Sequence, residues 1–128
     1  MGSAWKSYPF ELLSTVSYFS YKLDPRTGSY LNPEQIQEWR TTAMIDSAKV
    51  KKTKVLLTVS SFGYKNNNLF LGDQSKWGVL IDSLTNILND RDADGVDINF
   101  EGLPYLKRGS VNRFIEEVRK RLKQNIRN

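Results

Sequence analysis

One stretch restricts the fold more than any other: Asp94-Gly95-Val96-Asp97-Ile98-Asn99-Phe100-Glu101. Val96, Ile98 and Phe100 alternate with Asp97, Asn99 and Glu101, and a strand has a side-chain period of two. The stretch 94–101 therefore reads as a β-strand with one apolar face and one face carrying two carboxylates and an amide. Such a row on the inner face of a packed strand is costly unless its members bond one another or a ligand. The row is a candidate chemical site. An exposed antiparallel strand would show the same alternation, so the flanking segments have to decide.

They favour parallel β/α units. Leu12 to Tyr21 is rich in β-branched and aromatic residues and reads as a first strand. Asp24-Pro25-Arg26-Thr27-Gly28 has turn chemistry. Tyr30 to Arg40 is open, with a short extended piece around Ile36 and Trp39 as one reading. Thr42 to Lys52 reads as a helix with Met44, Ile45 and Ala48 on one face. Val55-Leu56-Leu57-Thr58-Val59 is a near-continuous apolar run, as in parallel strands covered on both faces. Ser60-Ser61-Phe62-Gly63 closes that strand, and Tyr64 to Asn68 reads as a polar loop.

Trp77, Leu80, Ile81, Leu84, Ile87 and Leu88 fall at helical spacing, which predicts a helix from about Ser75 to Asp90, capped by Asp73 or Ser75. A last helix is expected from Ser110, burying Val111, Phe114, Ile115, Val118 and Leu122. Strands alternating with amphipathic helices imply an α/β fold with right-handed crossovers and a parallel sheet.

Composition narrows the chemistry. The 128 residues include neither Cys nor His. Disulfides, zinc sites built on those ligands and triads that need His are therefore excluded. Carboxylates, amides, tyrosines and hydroxyls remain. No apolar run approaches the roughly 20 residues of a membrane span. The start Met1-Gly2-Ser3-Ala4-Trp5 lacks a basic segment followed by an apolar one, so no secretory signal is visible. The net charge of +5 is concentrated at one end. From Tyr105 onward eight Lys and Arg face only Glu116 and Glu117, which makes that segment +6 and the remainder −1. No nucleic-acid motif or stacking platform accompanies it, and a solvated helix face is the plainer reading.

The row at 94–101 resembles the signature of family-18 glycoside hydrolases, the chitinases and their relatives. That family's pattern is Asp-Gly-x-Asp-x-Asp-x-Glu at the C-terminal end of barrel strand four. Asp94, Gly95, Asp97 and Glu101 match it, Asn99 does not, and Pro104 follows in the loop. Leu12 to Tyr21 looks most like the bacterial, cell-wall-associated branch. The family's third-strand signature, Ser-x-Gly-Gly, survives in Ser60 and Gly63 of Ser60-Ser61-Phe62-Gly63.

The resemblance implies half of a TIM (β/α)8 barrel, with residues 1–128 as one domain carrying strands one to four. A whole barrel takes about 250 residues. Half a barrel leaves open parallel edges, which implies a partner: another copy, the missing half or a host protein. The family's activity implies an N-acetylglucosamine-containing polysaccharide as partner, an extracellular or cell-envelope location, and no cofactor or metal.

The resemblance also assigns roles. Most glycosidases pair two carboxylates, but this family uses the substrate's own acetamido oxygen as nucleophile. Glu101 would be the general acid. Asn99, two residues earlier, would orient the acetamido group, accepting its N–H without supplying negative charge. The family-85 endo-β-N-acetylglucosaminidases use Asn-x-Glu in this role. Asp97 would be the carboxylate partner whose like charge favours a protonated acid. Asp94, Tyr18 and Ser60 are candidate substrate-binding residues, Asp94 equally readable as a strand-capping aspartate and Tyr18 and Ser60 as ordinary barrel packing.

Overall fold

The apolar run at the middle of the chain forms the central strand of a three-stranded parallel sheet. The computed structural model describes residues 15–103 and 108–126, so Leu12 to Ser14 of the expected first strand lie outside the described residues. The strands are β1 (Thr15–Lys22), β2 (Lys54–Phe62) and β3 (Gly95–Glu101), in the order β1-β2-β3. The helices are α1 (Pro33–Thr41), α2 (Ala43–Val50), α3 (Tyr64–Leu71), α4 (Gln74–Asp90) and α5 (Arg108–Asn125). Both strand pairs are parallel, as the alternation of strand and helix required. The architecture matches half of a TIM-barrel-like fold.

Two segments differ from expectation. The stretch read as open, with an extended piece around Ile36 and Trp39, is the helix α1. Pro33 sits in its first turn, where its missing N–H is harmless, and Ile36 and Trp39 are one turn apart on the buried side. Tyr64 to Asn68, read as a polar loop, opens the helix α3, which buries Asn67, Phe70 and Leu71. At the far end, Ser110 lies inside α5, which begins at Arg108.

The helices cover one face of the sheet. Tyr18, Val55, Leu57 and Val59 point into that layer and are fully buried, with Trp39, Met44, Ile45, Leu80, Ile81 and Leu84. Trp39 packs edge-on against Tyr18 and donates its indole N–H to the Ile87 carbonyl at 3.0 Å. Asp73 caps α4 by accepting from the Ser75 amide at 3.0 Å. Phe114, Val118 and Leu122 of α5 are buried, while Val111 and Ile115 are only partly so. Phe100 of β3 stacks on Phe114, with ring centroids 5.6 Å apart. Gly28, at φ 92°, lets the 24–28 turn lie directly on α4: a Cβ there would stand 2.3 Å from the Lys76 carbonyl oxygen.

Candidate active site

Among the described residues no helix covers the other, open face of the sheet, although Thr58 and Ser60 on it are buried. In register across the strands lie Thr58 with Asp97, Ser60 with Asn99, and Phe62 with Glu101. Adjacent parallel strands are about 4.8 Å apart and register partners point the same way, so these six side chains form three rows on one face. The alternation of β3 therefore does what the sequence requires: Val96, Ile98 and Phe100 face the helices and Asp97, Asn99 and Glu101 do not. Asn99 is half-buried, while Asp97 and Glu101 are exposed. Asn99 and Glu101 stand about 6–7 Å apart along the strand.

Hydroxyls line the floor beside them. Ser17 and Thr58 share a hydrogen bond of 2.5 Å, and Ser20 and Ser60 one of 3.2 Å. Ser20 reaches this face because the pairing of β1 and β2 slips between Phe19 and Tyr21. The extra residue turns Tyr21 into the helical layer, where its hydroxyl donates to the Gly28 carbonyl at 2.9 Å.

The backbone that carries Glu101 is held by two donor groups. Its carbonyl accepts from the Gly63 amide at 3.0 Å and from Asn67 Nδ2 at 2.8 Å. Asn67 Nδ2 also donates to the Gly102 carbonyl at 3.2 Å, and Asn67 Oδ1 accepts from the Ser61 hydroxyl at 2.5 Å. Asn67 is fully buried, and its hydrogen bonds tie the end of β3 to β2. Gly102 has φ 84°, and a Cβ there would lie 3.0 Å from the Tyr64 amide nitrogen. Asn67 had no distinguishing signal in the sequence, standing as the middle of three asparagines in an apparent loop.

Of the six candidate residues, four share the open face: Asp97, Asn99, Glu101 and Ser60. Tyr18 does not join them. It is in register with Leu57 and points into the helical layer, where its hydroxyl donates to Glu38 Oε1 at 2.5 Å. Burial and that hydrogen bond push its phenol well above the ordinary tyrosine range. Asp94 does not join them either. It precedes β3, and its carboxylate accepts from the Val55 amide at 2.8 Å while its own amide donates to the Val55 carbonyl at 2.8 Å. It clips β2 to β3 at the N-terminal end of the strands, roughly 23 Å from Glu101 at strand rise.

Comparison with known proteins gives the fold a setting. No family model matches the chain, and no curated protein does. Among solved structures, the spore cortex-lytic enzyme SleL of Bacillus megaterium is similar with a TM-score of 0.77 at 14% identity, over 90% of this chain and 26% of that one. A chitinase from Bacteroides thetaiotaomicron is similar with a TM-score of 0.75 at 14% identity, over 91% of this chain and 37% of that one. The putative sporulation-specific glycosylase ydhD of Bacillus subtilis gives 0.74 at 22% identity, over 88% and 38%. The chain thus shares the fold of part of each of these structures and spans well under two thirds of their length. Among the described residues no helix is long and apolar enough to cross a membrane.

Proposed function

We propose that this chain carries the acid-bearing strand of a glycoside hydrolase that cleaves β-1,4-linked N-acetylglucosamine glycans with assistance from the substrate. The observation that carries the reading is the adjacency of Asn99 and Glu101 on the open face of a parallel strand, at its C-terminal end. In β/α barrels that end is where active sites lie. Glu101 protonates the departing glycosidic oxygen. Asn99 accepts the acetamido N–H and holds the acetamido oxygen against the anomeric carbon, and water later opens the cyclic cation so formed. Asp97 is the next group along the same face, and Ser60 supplies a hydroxyl beside Asn99.

The similar structures named as a cortex-lytic enzyme, a chitinase and a glycosylase support a glycan as substrate, and with it a location outside the cell or in its envelope. The remaining strands of the barrel, from more chain, a second copy or a host protein, complete the site. One observation favours a second reading. Asn99 brings no negative charge to the cationic intermediate, which suits a catalytically inactive glycan-binding module of the same fold. Release of reducing ends from chito-oligosaccharides decides between them. Cleavage that is lost in Glu101→Gln supports the enzyme, and saturable binding without cleavage supports the module.

A further inference from the structure

Glu101 is the last residue of β3, and its side chain is exposed. Among the described residues no hydrogen bond or ion pair reaches its carboxylate. Where that carboxylate stands is therefore set by the backbone beneath it. The end of an element opens at less free-energy cost than its middle, so an acid placed there needs its backbone fixed from outside the strand. The start of α3 does this. Gly63, its N-cap, continues the ladder by donating its amide to the Glu101 carbonyl. Gly102 leaves the strand against Tyr64, so closely that only a residue without Cβ fits.

Asn67 supplies the rest. A primary amide has two N–H donors and a carbonyl acceptor. Both donors go to successive carbonyls of the strand end, Glu101 at 2.8 Å and Gly102 at 3.2 Å. The acceptor takes the Ser61 hydroxyl, which sets the way the amide faces. We infer that Asn67 is a positioning residue: acting through the backbone, it fixes the reach of the Glu101 carboxyl toward the glycosidic oxygen. That role rests on the glycosidase reading and deepens it. A general acid must stand within hydrogen-bond reach of the oxygen it protonates. A displacement of about 1 Å caused by a residue outside the chemistry can cost roughly 100-fold in rate.

The test is the kinetics of reducing-end release from chito-oligosaccharides by the wild-type chain, Asn67→Asp, Asn67→Ala and Arg91→Ala. Asn67→Asp keeps the size of the side chain but offers at most one donor, and none when ionised. It is expected to lower kcat roughly tenfold or more while KM stays at the wild-type value, because the sugar contacts are untouched. If Asn67→Asp does not fold, Asn67→Ala carries the same comparison. Arg91→Ala is the structural control. It removes hydrogen bonds to the Trp39 and Thr42 carbonyls and to Asp46, three residues before Asp94 and so at the opposite end of the strands. It should lower Tm and leave kcat alone. A wild-type kcat in a folded Asn67 variant overturns the role of Asn67 and leaves the glycosidase reading standing. An equal fall in kcat in Arg91→Ala also overturns it, since the loss then follows stability. Absence of cleavage by the wild-type chain overturns both the role and the reading beneath it.

Discussion

Asn67 Nδ2 donates to the carbonyl oxygen of Glu101 at 2.8 Å, so a buried helix residue holds the backbone of the strand's last acid. The same nitrogen reaches the Gly102 carbonyl, and the amide oxygen of Asn67 takes the Ser61 hydroxyl. One side chain thus joins β2, α3 and the end of β3.

Removing that side chain leaves buried groups without partners. Asn67→Ala deletes all three hydrogen bonds, and the Ser61 hydroxyl is left in a buried site. A buried polar group that loses its partner costs about 1–3 kcal/mol. The expected outcome is a loss of stability in that range on urea unfolding. Amide chemical-shift changes should be centred on Gly63, Glu101 and Gly102.

Gly28 provides a sharper test of the fold. Its φ of 92° is strained for any residue with a Cβ, and the added carbon would stand 2.3 Å from the backbone of Lys76. The 24–28 turn would have to lift off α4 and disturb the bond from the Tyr21 hydroxyl. Gly28→Ala should destabilise by about 2 kcal/mol or more, read as a lower Tm. Gly72→Ala is a useful contrast, since φ there is −78°.

The alkaline limit of stability follows from two phenols. Burial, reinforced by Glu38, raises Tyr18, and burial raises Tyr21. A group that holds its proton more tightly when folded adds stability below its unfolded value, about pH 10 for tyrosine, and gives it up as pH rises through the folded value. Stability should therefore fall above about pH 10, as unfolding releases protons that the folded state retains. The double variant Tyr18→Phe, Tyr21→Phe starts from lower stability, having lost the bonds to Glu38 and Gly28, but its alkaline slope is flatter. Asp73 works at the other end. Hydrogen bonds from Ser75 hold its carboxyl below the ordinary value, so that contribution is present above about pH 4 and is lost as pH falls. Urea midpoints measured across pH check both slopes.

The strongest periodic signals in the sequence correspond to the elements found. Val55 to Val59 reads as a covered strand and the stripe from Trp77 to Leu88 as a helix on a core, and both are found. The period of two placed Asn99 and Glu101 on one face. It could not say which face of β1 meets the helices. Tyr18 was a candidate for the open face, but it lies in the core because the Leu57 side of the sheet is the covered one. The slip between Phe19 and Tyr21 was equally invisible, since it depends on pairing with β2 rather than on local composition. The helix α3 is not legible for a related reason. Its stabilising group is a buried asparagine whose partners lie 34 and 35 residues away, so neither propensity nor periodicity reports it.

The residue that departs from the resembled motif supports the most direct chemical prediction. Asn99 is half-buried between Asp97 and Glu101 on an open strand face, and its register partner is Ser60. On the proposed reading an amide there can accept the acetamido N–H, so substrate binding does not require an acid. The intermediate does. Positive charge develops on the acetamido group as the glycosidic bond breaks, and only a carboxylate opposes it with a full negative charge. Asn99→Asp is nearly isosteric and should leave the fold intact. It should raise kcat for chito-oligosaccharide cleavage roughly tenfold or more while moving KM little, because the gain lies in the transition state. The same change in a Glu101→Gln background should gain nothing, because no acid remains to release the leaving group. A rise in reducing-end release for the single variant and none for the double would assign Asn99 to charge stabilisation. An unchanged kcat in the single variant would mean that the amide already suffices.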